Sequence, residues 1–280
     1  MGNSTDGRIW FVTGASSGFG RAIAEAAVAA GDFVVAAVRR PEQLDDFKNA
    51  HSGQVETIRL DVTDTKAAAA AVADVEARHG RIDVLVNNAG RGQVGAVEET
   101  TDDELRDLFE LHFFGPAALT RAVLPAMRAR RDGAIVQMSS YGGQVTAPGF
   151  SAYAATKFAL EGFSESLASE VTPLGIRVLI VEPGAFRTSF SGGGLAQSAE
   201  IDDYADTVGP TRSMITGING TQPGDPAKAA KAILDALAAD DPPLRLPLGD
   251  DAVDAILEHL GTVETEVREW ESVSRSTNFE

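Results

Sequence analysis

The chain has 280 residues, 44% of them hydrophobic, which is enough to fill one large α/β core. Its 41 acidic and 24 basic residues give a net charge of −17, which argues against nucleic acid or an acidic membrane surface as partner. With no cysteine and four scattered histidines, we expect neither thiol chemistry nor a metal site. No apolar run is long enough to span a bilayer and no leader pattern is present, which predicts one cytoplasmic domain over 1–280.

Short β-branched runs alternate with alanine-rich helical stretches along the chain. The expected strands are RIWFVTG, FVVAAV, VETIRLDV, RIDVLVNNAG, GAIVQMSS and IRVLIVEPG, and then PPLRLPL at 242–248, whose prolines suit a sheet edge. This alternation predicts an α/β fold with a parallel sheet of about seven strands and helices on both faces. Residues 1–7 and 271–280 are expected to be flexible, and 187–225, rich in Gly, Ser and Asp, is expected to be a long loop that acts as a lid.

The first expected strand runs into TGASSGFG, which opens a helix at about Gly18. Glycines at such a turn let the backbone approach a pyrophosphate, whose charge is met by the amides of the helix N-terminus. Three glycines also arise for packing alone, but their place between a strand and a helix favours a dinucleotide site. The residues that would form it are Gly14, Ser16, Ser17, Gly18, Phe19 and Gly20.

The second expected strand ends in FVVAAVRR, so Val38 stands where an NAD-binding unit offers a carboxylate to the ribose 2′-hydroxyl. Arg39 follows at once, and Arg40 comes next. A guanidinium is a fixed cationic fork that suits a 2′-phosphate, so the sequence favours NADP(H) over NAD(H). Two solvated arginines after a strand are the alternative.

Several further motifs follow in a fixed order: Asp61-Val62, NNAG at 87–90, Ser139-Ser140, YAATK at 153–157 and EPGAFRT at 182–188. With these and TGASSGFG, residues 7–190 resemble the short-chain dehydrogenase/reductase family. The resemblance implies a Rossmann-type, doubly wound fold, a nicotinamide cofactor and the interconversion of carbonyl and alcohol by hydride transfer. It says little about the substrate.

The resemblance also assigns roles to residues along the cofactor, although each of them could be purely structural. Asp61 and Val62 would border the adenine. The residues that would pass along the ribose are Asn88, Ala89 and Gly90, and those that would line the nicotinamide and pyrophosphate are Pro183, Gly184, Phe186 and Thr188.

Tyr153 and Lys157 lie about 40° apart on a helix whose packed stripe includes Leu160, so Lys157 falls on the packed side. A phenol has a pKa near about 10, and a neighbouring ammonium lowers it. We therefore expect Tyr153 to donate the proton in carbonyl reduction and to accept it in the reverse direction. By resemblance, Ser140 would hydrogen-bond the substrate oxygen and Lys157 would hold the nicotinamide ribose. A snorkelling lysine beside a core tyrosine is the alternative.

His112, in ELHFFGP at 110–116, stands where the family usually has an asparagine associated with a water that passes protons between the lysine and solvent. Imidazole could replace it as a relay, because each ring nitrogen can donate or accept. Its reference pKa of about 6.5 then predicts an extra titration between about pH 6 and 7 in the rate profile. Filling of volume is the alternative.

The substrate pocket is expected near Gln93–Val94, Gln144–Val145 and 187–225, where Phe186, Phe190 and Tyr204 indicate a partly apolar ketone, aldehyde or alcohol.

Helices near 101–130 and 152–172 are long enough to pair in a homodimer or homotetramer, as family members often do. Two other functions stay open: a catalytically idle NADP-binding sensor or regulator, and epimerisation or dehydration with a tightly held cofactor.

Overall fold

A parallel sheet of seven strands forms the centre of this computed structural model, which describes residues 7–191 and 193–279. The strands are β1 (Ile9–Thr13), β2 (Phe33–Val38), β3 (Val55–Arg59), β4 (Val84–Asn87), β5 (Gly92–Val94), β6 (Gly133–Met138), β7 (Ile176–Pro183), β8 (Leu195–Gln197) and β9 (Arg245–Leu248). The sheet order is β3-β2-β1-β4-β6-β7-β9, with every pair parallel, and β5 and β8 form a separate pair that the sequence does not predict. The expected doubly wound sheet is confirmed, with proline-containing β9 at its edge.

Helices cover both faces of the sheet and bury its continuous apolar runs. They are α1 (Gly18–Ala29), α2 (Asp45–Ala50), α3 (Thr65–His79), α4 (Asp102–Phe109), α5 (Gly115–Arg130), α6 (Ser151–Val171), α7 (Ala205–Gly217), α8 (Pro226–Ala238), α9 (Asp250–Glu269) and α10 (Glu271–Arg275). In β1, Trp10 and Val12 pack with residues of α1 and α8, whereas Phe11 packs with residues of α3, α5 and α6. Alternate side chains of one strand therefore enter two separate cores.

Residues 102–130 form one continuous helix that contains a π-helical turn at Glu110–Phe114. Thr101 begins it with a capping box, in which its hydroxyl accepts from the backbone of Glu104 and the Glu104 carboxylate binds the backbone of Thr101. The π turn carries His112 to the interior, where only 1% of the residue is exposed.

The segment 187–225 is not the long loop that its composition predicts, because it contains β8 and α7. Val208 and Ile215 of α7 are buried in a small core with Val94. Arg212 of α7 also forms an ion pair with Glu99 at 2.7 Å, and both side chains are nearly inaccessible to water. Packing and this buried pair fix α7 to the body of the protein.

The C-terminal part consists of α9 and the short α10, and α9 exposes apolar side chains such as Leu257, Val267 and Trp270. Glu271–Arg275 is helical where the sequence predicts a flexible tail. Residues 1–6 of the expected flexible N-terminus, and residue 280, lie outside the described residues. Within 7–191 and 193–279, the helices are all too short or too polar to cross a bilayer.

Candidate active site

A cavity of about 1550 Å³ opens at the carboxyl ends of the central strands, where the strand order reverses between β1 and β4. This is the place where doubly wound sheets bind their ligands. Apart from Gly20, every residue that the sequence assigns to catalysis or to cofactor binding lines it. The lining includes Gly14, Ser16, Ser17, Gly18, Phe19, Arg39, Arg40, Asp61, Val62, Asn88, Ala89, Gly90, His112, Ser140, Tyr153, Lys157, Pro183, Gly184, Phe186 and Thr188.

The glycine turn forms a backbone cradle that side chains would fill. Gly14 and Gly18 have φ angles of 65° and 56°, and a Cβ on Gly14 would lie 2.9 Å from the Cα of Ala89. At Gly20 a Cβ would overlap the Asn88 side chain. Among the described residues, no side chain caps the N-terminus of α1 at Ser17, so its first amides can receive an anion. The turn therefore fits the pyrophosphate of a dinucleotide.

Asn88 fastens the end of β4 to this turn. Its Nδ2 donates hydrogen bonds to the backbone oxygens of Thr13, at 2.8 Å, and Gly14, at 3.2 Å. The backbone N–H groups of Asn88 and Ala89 both donate to the Thr13 hydroxyl. Asn88 thus has a structural role, because it holds the end of β4 against the glycine turn. From the sequence alone, such a role is the alternative to contact with the ribose.

Arg39 and Arg40 follow β2 and are exposed at the cavity, on the same side as Asp61 and Val62. The Asp61 carboxylate accepts hydrogen bonds from the backbone N–H of Thr63, at 3.1 Å, and from its hydroxyl, at 2.8 Å. This end of the cavity therefore offers two guanidinium groups, and its carboxylate is already engaged in a turn.

At the other end of the cavity, Tyr153, Ser140 and Lys157 come together. The Tyr153 ring packs against those of Phe150 and Phe190, with centroids 6.1 Å and 5.7 Å away. Ser140 follows β6, and its Oγ accepts a hydrogen bond from the backbone N–H of Gly142 at 3.0 Å. Nζ of Lys157 donates to the carbonyl oxygen of Met138 at 2.8 Å. Residues from two elements thus present a phenol, a hydroxyl and an amine to one wall.

The expected lowering of the Tyr153 pKa is wrong for this structure. Tyr153 lines the cavity and is only partly buried, but desolvation by the protein atoms packed around it raises the pKa of its hydroxyl to about 12, with a smaller opposing effect of the Ser140 hydroxyl. Burial also lowers the pKa of Lys157 to about 8. At neutral pH the phenol therefore keeps its proton, and most of the lysine is charged.

His112 has both ring nitrogens engaged inside the protein. Its Nδ1 lies 2.9 Å from the Thr156 hydroxyl, which itself donates to the backbone oxygen of Tyr153, so Nδ1 carries the proton. Nε2 accepts from the backbone N–H of Arg91 at 3.2 Å. Burial, with a contribution from Lys157, lowers the pKa of His112 well below its usual range. The predicted titration between pH 6 and 7 is therefore not expected.

The outer wall of the cavity differs in part from the sequence prediction. Val145 and Phe190 line it as expected, together with apolar residues from the segment that the sequence treats as a loop: Leu195, Met214, Ile215 and Ile218. Gln93 and Val94 are instead buried, and Gln93 donates to the Ser198 hydroxyl at 2.8 Å. Tyr204 points its hydroxyl to Glu98 at 2.8 Å and is not part of the wall.

Sequence reasoning missed a buried charged group behind Lys157. Glu161 and Glu182 are 4% and 0% exposed, and Arg245 bonds Glu161 at 3.2 Å. Two signals were present: Glu161 follows Lys157 by four residues and so lies on the same packed face of α6, and Glu182 interrupts the apolar run of β7. A backbone turn that fits a dinucleotide, beside a phenol, a hydroxyl and an amine, is the arrangement expected of a nicotinamide-dependent oxidoreductase.

The family model described as short chain dehydrogenase matches residues 8–197. An oxidoreductase of Botryotinia fuckeliana is 41% identical, over 88% of this chain and 90% of its own. A 3-ketodihydrosphingosine reductase of Bacteroides thetaiotaomicron is 37% identical, over 86% of this chain and 88% of its own. The chain therefore belongs to the short-chain dehydrogenase/reductase family and is an oxidoreductase that acts on CH–OH or C=O groups.

Solved structures agree with this assignment. The crystal structure of a short-chain dehydrogenase from Streptomyces avermitilis is 60% identical, covers 99% of this chain and 100% of its own, and superposes with a TM-score of 0.93. The closed form of a serine dehydrogenase complexed with NADP+ is 26% identical, covers 86% and 94%, and has a TM-score of 0.74. The cofactors named for such neighbours are NADP in some and NAD in another.

Proposed function

We propose that this chain is an NADP(H)-dependent oxidoreductase that interconverts a ketone or aldehyde and an alcohol, with Tyr153 as general acid and base. The observation that carries the proposal is the meeting of Tyr153, Ser140 and Lys157 at one wall of a cavity whose other wall is the glycine turn. When bound, NADP(H) would supply or accept the hydride at the carbonyl carbon.

Tyr153 is suited to act as the acid. Because burial keeps its pKa near about 12, the hydroxyl is protonated at neutral pH and can donate its proton to the oxygen of a carbonyl substrate. The Ser140 hydroxyl would donate a hydrogen bond to the same oxygen. In the reverse direction the phenolate must accept a proton, so oxidation of an alcohol is expected to need a higher pH than reduction.

Lys157 would stabilise the negative charge that forms on Tyr153 as the proton leaves. Nζ lies 5.7 Å from the centre of the Tyr153 ring, in a site where burial strengthens the interaction of charges. We propose that Lys157 also holds the nicotinamide ribose. Both roles need the ammonium form, so reduction is expected to decline as the pH rises through about 8, where Lys157 loses its proton.

The preference for NADP(H) over NAD(H) is supported by the adenine end of the cavity. Val38 is buried and supplies no carboxylate for a ribose 2′-hydroxyl, whereas Arg39 and Arg40 are exposed where a 2′-phosphate would lie. Asp61 borders the same end, but its carboxylate is engaged with Thr63. A guanidinium forms charge-assisted hydrogen bonds with a phosphate.

The outer wall supports a substrate with an apolar part. Phe190 packs against the Tyr153 ring, Leu195, Met214 and Ile215 line the same cavity, and Ser140 provides a hydroxyl beside Tyr153. A carbonyl compound with a bulky apolar substituent would bury that substituent here while its oxygen met Tyr153 and Ser140.

We propose further that the enzyme works in the cytoplasm as a homodimer or homotetramer. Phe114 and Phe158, on the helices expected to pair, are 44% and 45% exposed, and association would cover them. Light scattering coupled to size-exclusion chromatography tests this proposal. A Phe158→Glu variant should then have a smaller assembly, and a monomeric unmodified protein would contradict the proposal.

The function is tested by incubating the purified protein with NADPH and a panel of ketones and aldehydes that differ in apolar bulk. We expect loss of NADPH absorbance with some of them and formation of the alcohol in equal amount. Binding of NADPH with no conversion of any compound would favour the idle sensor. Conversion without net consumption of NADPH would favour epimerisation or dehydration.

A further inference from the structure

Two carboxylates and one guanidinium lie buried one helical turn beyond Lys157. Glu161 comes from α6 and Glu182 from the end of β7. Nε of Arg245 lies 3.2 Å from Oε2 of Glu161 and 3.6 Å from Oε1 of Glu182. Gln144 donates a further hydrogen bond to Oε1 of Glu182. Both carboxylates therefore face the same cation across the carboxyl end of the sheet.

The charges of this group do not balance if both glutamates are ionised. Arg245 is the cation they share, and it also binds the exposed Glu165 at 2.8 Å. Among the described residues, Oε1 of Glu161, Oε2 of Glu182 and the Ser139 hydroxyl have no partner at ordinary hydrogen-bond geometry. Two buried carboxylates beside one cation favour retention of a proton, and that proton would give these oxygens a donor. Burial raises the pKa of both glutamates, and the charge of Glu161 helps to raise that of Glu182 to about 7.

The group is connected to Lys157 through α6 and through the end of β6. Nζ of Lys157 donates a hydrogen bond to the carbonyl oxygen of Met138. The next residue, Ser139, lies beside Glu161. Both approach Gly143, where an added Cβ would be 2.6 Å from Oγ of Ser139 and 3.0 Å from Oε1 of Glu161. The negative charge of Glu161 raises the pKa of Lys157, in opposition to burial. Glu161 thus favours the ammonium form on which the proposed role of Lys157 depends.

We propose that Glu161 and Glu182 share one proton and act with Arg245 as positioning residues that keep Lys157 charged during catalysis. The effect of this group on turnover rests on the proposed function. The shared proton itself does not depend on that function. The other titratable or charged side chains around the group and Lys157 are Tyr141, Tyr153, His112, Arg91, Glu165 and Asp251.

The kinetic test compares Glu161→Gln with Glu165→Gln, which removes a carboxylate from the same helix and the same arginine but at an exposed position. We expect the alkaline limb of the kcat/KM profile for reduction to move to lower pH in Glu161→Gln, because Lys157 loses a neighbouring negative charge. Glu161→Asp should return it towards its original place, and Glu165→Gln should leave it unchanged. Equal shifts in the two glutamine variants would overturn the proposal.

The second test needs no turnover and so separates this inference from the proposed function. In the protein labelled with 13C at the glutamate side-chain carboxyl, we expect one NMR signal that is absent from Glu182→Gln to titrate near pH 7. In Glu182→Gln, the Glu161 signal should titrate in a single step, because the second carboxylate that shares its proton is gone. Glutamine has nearly the same shape as a protonated glutamic acid, so Glu182→Gln should fold. It therefore tests the shared proton even if Glu161→Gln does not fold. A Glu182 signal that titrates in the ordinary glutamate range would overturn the shared proton, whatever the activity.

Discussion

Nζ of Lys157 lies 2.8 Å from the carbonyl oxygen of Met138 and donates a hydrogen bond to it. The end of β6 thereby fixes the position of the ammonium, which stands 5.7 Å from the centre of the Tyr153 ring. A cation held by the backbone in this way does not have to reorganise when charge develops on the phenol.

Replacement of Lys157 by Met should therefore weaken both turnover and NADPH binding. Methionine keeps much of the apolar stem but removes the charge and the donor to Met138. Turnover is followed by NADPH absorbance and binding by titration calorimetry. Lys66, on the exposed start of α3 and absent from the cavity wall, provides the control. If Lys157→Met behaved like Lys66→Met in both assays, Lys157 would be a packing residue.

The change Tyr153→Phe removes one oxygen and leaves the ring and its aromatic neighbours in place. We expect folding and NADPH affinity to survive and turnover to fall by about 10²-fold or more, the scale of general acid catalysis. Tyr204→Phe is the matched control, because its hydroxyl binds Glu98 away from the cavity. Full activity of the Tyr153 variant on an established substrate would contradict the acid role.

Cofactor choice is tested at Arg39, which we expect to make NADPH bind more tightly than NADH. In Arg39→Ala this preference should be lost, with a cost of at most about 1.5–3 kcal/mol for a charge-assisted bond in a partly exposed site. Arg59→Ala makes the same charge change at the end of the neighbouring strand, outside the cavity wall, and should have little effect. Equal dissociation constants of the unmodified protein for the two cofactors would refute the preference.

His112 is expected to be a neutral, fixed hydrogen-bonding group. Phenylalanine at this position would leave the Thr156 hydroxyl and the N–H of Arg91 without their buried partner, which should lower the free energy of unfolding by about 1–3 kcal/mol. Asparagine retains a donor and an acceptor and should cost less. Because burial holds the pKa of His112 well below its usual range, neither variant should remove a titration between pH 6 and 7 from the rate profile. Such a titration, lost in both variants, would show that His112 ionises.

The buried Glu182 should also make stability depend on pH. Its pKa in the folded protein is about 7, above the ordinary value of 4.5, so the folded state keeps a proton that the unfolded chain has lost. The corresponding stabilisation is complete below about pH 4.5 and disappears as the pH rises through about 7. Urea unfolding at pH 5 and pH 8 should therefore show a larger loss for the unmodified protein than for Glu182→Gln. With Glu165→Gln as exposed control, parallel losses in all three proteins would contradict this.

The sheet and the glycine turn could be predicted because their signals are local. Strands buried on both faces have continuous apolar runs, and Gly14 and Gly18 occupy backbone conformations that only glycine adopts readily. The helix α7 could not be predicted, because it contains Pro210 and is stabilised by packing and by the pair of Arg212 with Glu99, 113 residues away in sequence.

The ionisation of the candidate site could not be predicted for a similar reason. The spacing of Tyr153 and Lys157 places them on one helix face, which suggests that charge dominates the pKa of the phenol. The structure shows burial to be the larger influence. Burial is contributed by distant residues such as Phe190, and the partner of Glu161, Arg245, lies 84 residues further along the chain.

The π-helical turn at Glu110–Phe114 holds one residue more than the α-helix around it would need. Each residue of an α-helix advances the chain by about 100°, so loss of one residue here would rotate everything on one side of the turn by that angle relative to the other. His112 would then leave Thr156, or α5 would leave its place against the sheet. The number of residues in the turn therefore sets how this helix is aligned with the cavity. A substitution in either flanking helical segment changes one side chain, whereas a deletion within the turn rotates every side chain on one side of it.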